Sequence, residues 1–170
     1  GYLSRTFGTP TNSTTWTISY WARSGSYPSA SRTMGIMGSS ISDAILMDAA
    51  GPTVNLRLTA TYVLQPSATT NLLNDPSGWY HVVVQTSGKN SHAVYINGQL
   101  MLQSTTSYTG NTFNVSGTTV YIGTYTTTSG STFDGALADF YFIDGQVVSP
   151  TQFGYFDPLR GGEWYPIKYN

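Results

Sequence analysis

The 170-residue chain carries a formal net charge of -1, and only 9% of its residues are charged. Its seven Lys and Arg residues are too few for the basic surface that nucleic acid or an anionic membrane requires. The absence of Cys excludes a disulfide scaffold, a Cys-zinc site and thiol catalysis. The chain should fold, because 39% of its residues are hydrophobic. Roughly a quarter of the residues are Ser or Thr, which predicts a hydroxyl-rich surface typical of extracellular or virion-surface proteins.

The first half of the chain is predicted to form short antiparallel strands separated by Gly-, Pro- and Ser-rich turns. The clearest is 15–23, in which Trp16, Ile18 and Tyr20 alternate along one face. The predicted strands cover residues 2–6, 15–23, 33–39, 44–48, 53–59 and 62–66. Strands 33–39, 44–48 and 53–59 are predicted to form a meander, and 62–66 is a weaker strand.

The central feature is a predicted hairpin of residues 79–86 and 91–96, joined by a four-residue loop. With that loop length, Val82 to Val84 pair with Ala93 to Tyr95, and His81 and His92 share a face. Both faces of the hairpin are apolar. We therefore expect it in the middle of a sheet that is covered on both sides.

The second half continues with predicted strands 99–103, 120–123 and 135–143. In 135–143, Phe140 and Phe142 share a face with two alanines, and the opposite face carries Leu137, Asp139, Tyr141 and Ile143. Ser149 and Pro150 predict a short helix near 149–154. Residues 161–170 form an aromatic tail that we expect to lead into a longer parent chain, leaving 1–160 as the domain.

These many short strands predict an all-β, antiparallel two-sheet sandwich or jelly roll. The order of motifs adds a family resemblance. The motifs are 16–21 (WTISYW), 79–84 (WYHVVV), 94–98 (VYING), 121–123 (YIG) and 133–139 (FDGALAD). In this series the chain resembles the laminin G-like, concanavalin A-like jelly-roll superfamily. Residues 2–6 (YLSRT), 142–146 (FIDGQ) and 164–169 (WYPIKY) look like its version in structural proteins of tailed, often marine, phages.

The resemblance implies a non-enzymatic virion structural or surface-display module, such as a decoration, fibre or tail-associated protein. Its partners would be other virion proteins, its own parent chain or further copies in a homo-oligomer, at a virion surface or outside a cell. The alternative is a lectin-like domain that recognises host-surface glycans. We expect no nucleic-acid partner, because the chain has too few Lys and Arg residues. We also expect no membrane insertion, because no apolar run reaches the length of about 20 residues that a span requires.

Catalysis by a glycanase of this fold would need two carboxylates close together on one strand. Glu occurs once, at Glu163, and no two Asp residues alternate closely on a predicted strand, so a glycan hydrolase is disfavoured. No Gly-x-Ser-x-Gly elbow supports a Ser-His-Asp triad, although residue types alone leave one open. We expect no cofactor, with calcium as the open alternative because relatives bind it at a rim loop. Asp43, Asp48 and Asp134 are the residues that could contribute.

Carbohydrate binding requires an aromatic platform beside amide and hydroxyl groups. Five aromatic residues in predicted loops or at strand ends, among Asn, Gln, Ser and Thr, are candidates for such a site. They are Tyr27, Tyr62, Tyr108, Tyr125 and Trp164. Because a chain with thirteen Tyr residues places several at loop rims in any case, each can also be purely structural.

Overall fold

The computed structural model describes residues 1–25, 33–48, 53–66, 73, 75–128 and 130–170. Short strands dominate these residues. They are β1 Leu3–Thr6, β2 Trp16–Ser24, β3 Met34–Ser40, β4 Asp43–Asp48, β5 Thr53–Leu58, β6 Thr61–Leu64, β7 Tyr80–Thr86, β8 His92–Ile96, β9 Gln99–Ser104, β10 Thr119–Ile122, β11 Gly135–Asp144, β12 Gly154–Asp157 and β13 Glu163–Pro166. Two 3-10 turns, Pro150–Gln152 and Pro158–Arg160, flank β12, and Ser149 caps the first as predicted. No helix in the described residues is long and apolar enough to cross a membrane.

The strands form two large antiparallel sheets and a small one. The six-stranded sheet has the order β1-β10-β3-β4-β5-β6, and the five-stranded sheet has the order β11-β2-β7-β8-β9. Strands β12 and β13 pair with each other. The expected all-β sandwich is confirmed, and β7 occupies the middle of its sheet, as the apolar pattern predicted.

The inner face of the five-stranded sheet packs against the six-stranded sheet. Trp16, Ile18 and Tyr20 of β2 are fully buried in this core, beside Val82 and Val84 of β7. Period-two alternation on β2 therefore identified the core face correctly.

The register predicted for the β7–β8 hairpin is wrong by one residue. Thr86 pairs with His92, so the loop comprises residues 87–91 rather than four residues, and Val84 pairs with Val94. A one-residue shift moves every side chain of one strand to the other face. His81 and His92 therefore lie on opposite faces of the sheet, not on the same one.

Strand β11 departs from simple alternation. Its pairing with β2 is interrupted by a bulge between Ala138 and Tyr141, and Asp139 adopts a φ of +46° there. A bulge inserts an extra residue and reverses which side chains face inward. Leu137 consequently joins Phe140 and Phe142 against the inner core, a correction to the face assigned from the sequence.

The outer face of the five-stranded sheet is covered by the segment that follows β11. Val148 and Phe153 bury Val83, and Thr17 accepts a hydrogen bond from the Val148 amide at 2.9 Å. Gln85 donates to the Val148 carbonyl at 2.6 Å. The aromatic residues 161–170 add β13 to this cover, so the hairpin β12–β13 lies beside the sheet and forms one wall of a groove.

Candidate functional site

The groove lies where β7 begins and the β8–β9 hairpin turns, with the hairpin β12–β13 along its side. It has a volume of about 660 Å³. Trp79 and Phe156 are 41% and 46% exposed. We call it the aromatic groove, and its lining is Trp79, Tyr80, Ile96, Asn97, Gln99, Met101, Phe156, Gly162, Glu163 and Trp164.

The Asn97-Gly98 turn shapes one end of the aromatic groove. Both residues adopt positive φ, +48° and +75°, which is the geometry of the tight hairpin turn expected of Asn-Gly. The side-chain oxygen of Asn97 accepts from the His81 amide at 2.9 Å, and the Asn97 amide donates to the His81 carbonyl at 2.8 Å. This fixes the Asn97 side chain and leaves its NH₂ group as a donor at the groove.

Trp164 forms the buried base of the groove and is held on three sides. Its indole N–H donates to Nδ1 of His81 at 3.0 Å. Gly98 and Gly154 lie against its ring, and a Cβ at either position would overlap the indole. Phe156 meets the same ring edge to face, with the centroids 4.8 Å apart. The packing of Trp164 thus aligns Phe156 along the groove.

The hydrogen bonds of His81 define its protonation. An indole N–H can only donate, so Nδ1 of His81 is the acceptor and carries no proton. The imidazole proton is therefore on Nε2 and is donated to Ser19 Oγ at 2.8 Å. Burial lowers the pKa of His81 to about 4, which keeps the ring neutral at physiological pH.

Ser19 and His81 consequently do not form a catalytic dyad. A histidine acting as general base must accept the serine proton at Nε2, with a third group accepting from Nδ1–H. Here both hydrogen bonds of the His81 ring run in the opposite direction, because Trp164 donates to Nδ1 and Nε2 donates to Ser19. Ser19 and His81 are also both about 1% exposed.

Polar groups complement the aromatic rings. Gln99 is exposed and offers both a donor and an acceptor. Glu163 is exposed and accepts from the Tyr165 hydroxyl at 2.9 Å, which leaves further acceptor positions on its carboxylate. Among the described residues, Glu163 is the one acidic side chain that lines the groove. The exposed aromatic rings can therefore stack against a ring of a ligand, and the polar side chains can form hydrogen bonds with the ligand's hydroxyl groups. The described lining contains one carboxylate and no pair of them.

The structure does not bring the five aromatic candidates together. Trp164 lines the groove, whereas Tyr27 lies outside the described residues. Tyr62 is half-buried beneath the Arg57 guanidinium, and Tyr125 is half-buried. Tyr108 is only 3% exposed and packs against His92, so no face of its ring is open to a ligand.

The residues that sequence reasoning missed are Trp79 and Phe156. Trp79 begins a strand that is predicted to be covered on both faces, and the sequence does not predict the β12–β13 hairpin that carries Phe156. The available signal is the sequence Asp75-Pro76-Ser77-Gly78 directly before Trp79, because these residue types are typical of turns and turns lie at the surface. Nothing in the sequence connects Trp79 to Phe156.

The acidic side chains named for calcium do not form a cluster among the described residues. No group of three or more His, Asp or Glu side chains converges in the described ranges. Asp43 accepts from the Thr59 amide at 2.8 Å, and burial raises the pKa of its carboxyl. Asp43 thus serves its own loop. Calcium binding stays a prediction, which a binding experiment with calcium and with EDTA tests.

Comparison with known proteins gives a family and a set of similar folds. Residues 2–152 match the family model of the concanavalin A-like lectin/glucanases superfamily. A search of curated protein sequences gave no match. Among solved structures, the fold is similar to a Bacteroides ovatus protein provisionally described as carbohydrate binding. The TM-score is 0.61 and the identity 18%, over 83% of this chain and 40% of that one.

Two botulinum neurotoxin structures are also similar. The serotype D binding domain gives a TM-score of 0.59 and 12% identity, over 86% of this chain and 37% of that one. A type C structure, whose description states that cell entry depends on interaction with two ganglioside molecules, gives 0.52 and 16%, over 79% and 34%. The chain thus spans 40% or less of each of these three proteins. At such identities the likeness establishes the fold.

Proposed function

Because the chain belongs to the concanavalin A-like lectin/glucanases superfamily, we propose that it is a carbohydrate-binding domain whose site is the aromatic groove. The observation that carries this proposal is the pairing of two exposed rings, Trp79 and Phe156, with the polar groups of Asn97, Gln99 and Glu163. Two similar structures are described in terms of carbohydrate or ganglioside binding, which supports the same reading. The glycan-binding alternative is therefore better supported than a purely structural role.

Recognition would use the two halves of the groove for different parts of a sugar. The apolar face of a pyranose would stack on Trp79 or Phe156, as aromatic rings provide large, rigid apolar contact. Its hydroxyl groups would bond to the NH₂ group of Asn97, the amide of Gln99 and the carboxylate of Glu163. Only a few polar groups with fixed directions are needed for specificity in such a site.

The domain binds without catalysis in this proposal. Glycoside hydrolysis uses two carboxyl groups that flank the scissile bond, and the groove offers Glu163 alone among the described residues. The tautomer of His81 likewise opposes a serine hydrolase mechanism.

Display at a virion surface or outside a cell is proposed on the phage-like sequence motifs alone, and it is compatible with glycan recognition. Leu159, which is 94% exposed at the tip of the β12–β13 hairpin, is a candidate contact with other virion proteins or copies of the domain. Analytical ultracentrifugation of the wild type and Leu159→Ser would test this contact. An unchanged monomer in both samples would contradict it.

The glycan-binding proposal is tested by a glycan array probed with the wild type, Phe156→Ala and Tyr155→Ala. Phe156 and Tyr155 are neighbours on β12, are both 46% exposed and point to opposite faces of the hairpin. Phe156→Ala should reduce binding at least tenfold, whereas Tyr155→Ala should leave it unchanged. Running each array with calcium and with EDTA tests the metal separately.

Two results would overturn the proposal. One is a blank array with folded protein, which would leave display and assembly as the function. The other is binding that Phe156→Ala and Trp79→Ala both preserve, which would move the site away from the aromatic groove. Near-ultraviolet circular dichroism of each variant verifies that Trp164 remains packed.

A further inference from the structure

The charge distribution around the aromatic groove is simple. Glu163 is the one charged residue in its lining among the described residues, and the remainder are aromatic, aliphatic, amide or glycine. Glu163 is exposed, and no lysine or arginine among the described residues lines the groove with it. The first charge that a bound sugar meets is therefore negative.

Asp157 is the direct cross-strand partner of Glu163 in the β12–β13 hairpin, so a second carboxylate lies beside it. Arg160 on the same hairpin pairs with Asp157 at 3.6 Å and covers the ring of Tyr165. The guanidinium of Arg23 lies 5.4 Å from the centre of the Trp79 ring, but Arg23 does not line the groove. Neither arginine lines the groove, whereas Glu163 does.

We infer that the aromatic groove selects uncharged glycans over anionic ones, and that Glu163 is the residue responsible. This inference rests on the proposed function. A carboxylate accepts strong, charge-assisted hydrogen bonds from sugar hydroxyls. A sialic acid, uronic acid or sulfate within about 5 Å of it is repelled, and at an exposed site this corresponds to a preference of about five- to tenfold.

The test uses an array that carries matched pairs of the same glycan with and without a sialic acid, a uronic acid or a sulfate group. The wild type should bind the uncharged member about five- to tenfold more tightly at low salt. Glu163→Gln retains an acceptor for the Tyr165 hydroxyl and should bring the ratio close to one. High salt should narrow the wild-type ratio, because exposed charges are screened.

The matched control is Asp139→Asn, which removes the same charge from the exposed bulge of β11, at the opposite edge of the sheet from β9. Asn tolerates the positive φ of that position. The control should keep the wild-type preference. If Asp139→Asn abolishes it as well, net charge rather than Glu163 is responsible, and the inference fails.

The remaining outcomes separate the two proposals. No binding to either member of any pair overturns the proposed function and the inference with it. Equal binding of both members, or a preference for the anionic one, overturns the inference alone. If the wild type prefers the anionic glycan and Arg23→Gln removes this preference, the anionic group is bound beside Trp79 by Arg23.

Discussion

The two faces of the five-stranded sheet are both buried, but by different chemistry. The inner face meets the six-stranded sheet through aliphatic and aromatic side chains such as Trp16 and Val84. The outer face buries Thr17, Ser19 and His81 under the C-terminal segment, where each has a hydrogen-bond partner. Apolar burial depends mainly on volume, whereas a buried polar group is stable only while its bonds are made. Loss of side-chain volume on the inner face should therefore lower the free energy of unfolding. On the outer face, the free energy of unfolding should depend on hydrogen-bond geometry and on pH.

The largest effect is expected from truncating the inner face. Trp16→Ala removes a fully buried indole and should lower the free energy of unfolding by about 3–5 kcal/mol, through lost burial and a residual cavity. Urea denaturation followed by circular dichroism measures it. Leu159→Ala is the control, and at an exposed position it should stay within about 0.5 kcal/mol. A loss below 1 kcal/mol for Trp16→Ala would contradict the assignment of this core.

The outer face should be sensitive to a single methyl group. Gly154→Ala places a Cβ against the indole of Trp164 and should cost about 2–3 kcal/mol, because the ring must shift. Limited proteolysis should then cut first within residues 154–170. Gly8→Ala is the matched control, since a Cβ at Gly8 meets no atom within 4 Å. Equal protease resistance of the two variants would refute the tight packing of Trp164.

Stability should fall in acid because of His81. Its pKa is about 4 in the folded protein and 6.5 when unperturbed, so the folded state favours the neutral ring. The stabilisation is complete above pH 6.5 and is lost as pH falls from 6.5 toward 4, amounting to about 3 kcal/mol. Protonated Nδ1 would also face the N–H of Trp164 as a second donor.

Urea unfolding at pH 7, 5.5 and 4 checks this, with His81→Gln as the comparison. The variant should lose about 3 kcal/mol less than the wild type over that range. His92, whose pKa burial also lowers, is present in both proteins and cancels in the difference. Parallel pH profiles would show that His81 does not titrate in this window.

The smallest effect concerns one hydrogen bond. Trp164→Phe keeps an aromatic ring but removes the N–H donor to His81, and should cost about 1 kcal/mol. Tyr165→Phe removes a donor from the same hairpin at an exposed bond to Glu163, and should cost less than about 0.5 kcal/mol. Thermal denaturation of both compares them. Equal losses would mean that burial does not strengthen the Trp164 bond.

Several features of the fold were accessible from the sequence because they depend on local pattern. The alternation of Trp16, Ile18 and Tyr20 identified the inner face, and the apolar run Val82 to Val84 placed β7 in the middle of its sheet. The register of β7 and β8 was not accessible. A loop rich in Ser, Gly and Asn gives no sharp end, and one residue of uncertainty there reverses a face. The bulge at Asp139 was not accessible from the sequence either. Asp occurs both in turns and in the left-handed conformation, so its presence in a strand does not by itself indicate a bulge.

The candidate site was predicted only in part. Trp164 was named as a possible binding residue, and it lines the aromatic groove. Trp79 and Phe156 come from distant parts of the chain, and no strand is predicted at 154–157, where the structure has β12. Gly154 has a specific role there, because the absence of a Cβ lets the Trp164 ring pack against it.

By itself the sequence determined the class of the protein, which is an antiparallel β sandwich with little charge, no cysteine and a single Glu. These properties follow from composition and from period-two patterns, which depend on neighbours along the chain. Only the tertiary structure decided which aromatics share a surface and which proton His81 carries. Both depend on the contact between β7 and a tail 83 residues away, and no local pattern encodes a contact at that separation.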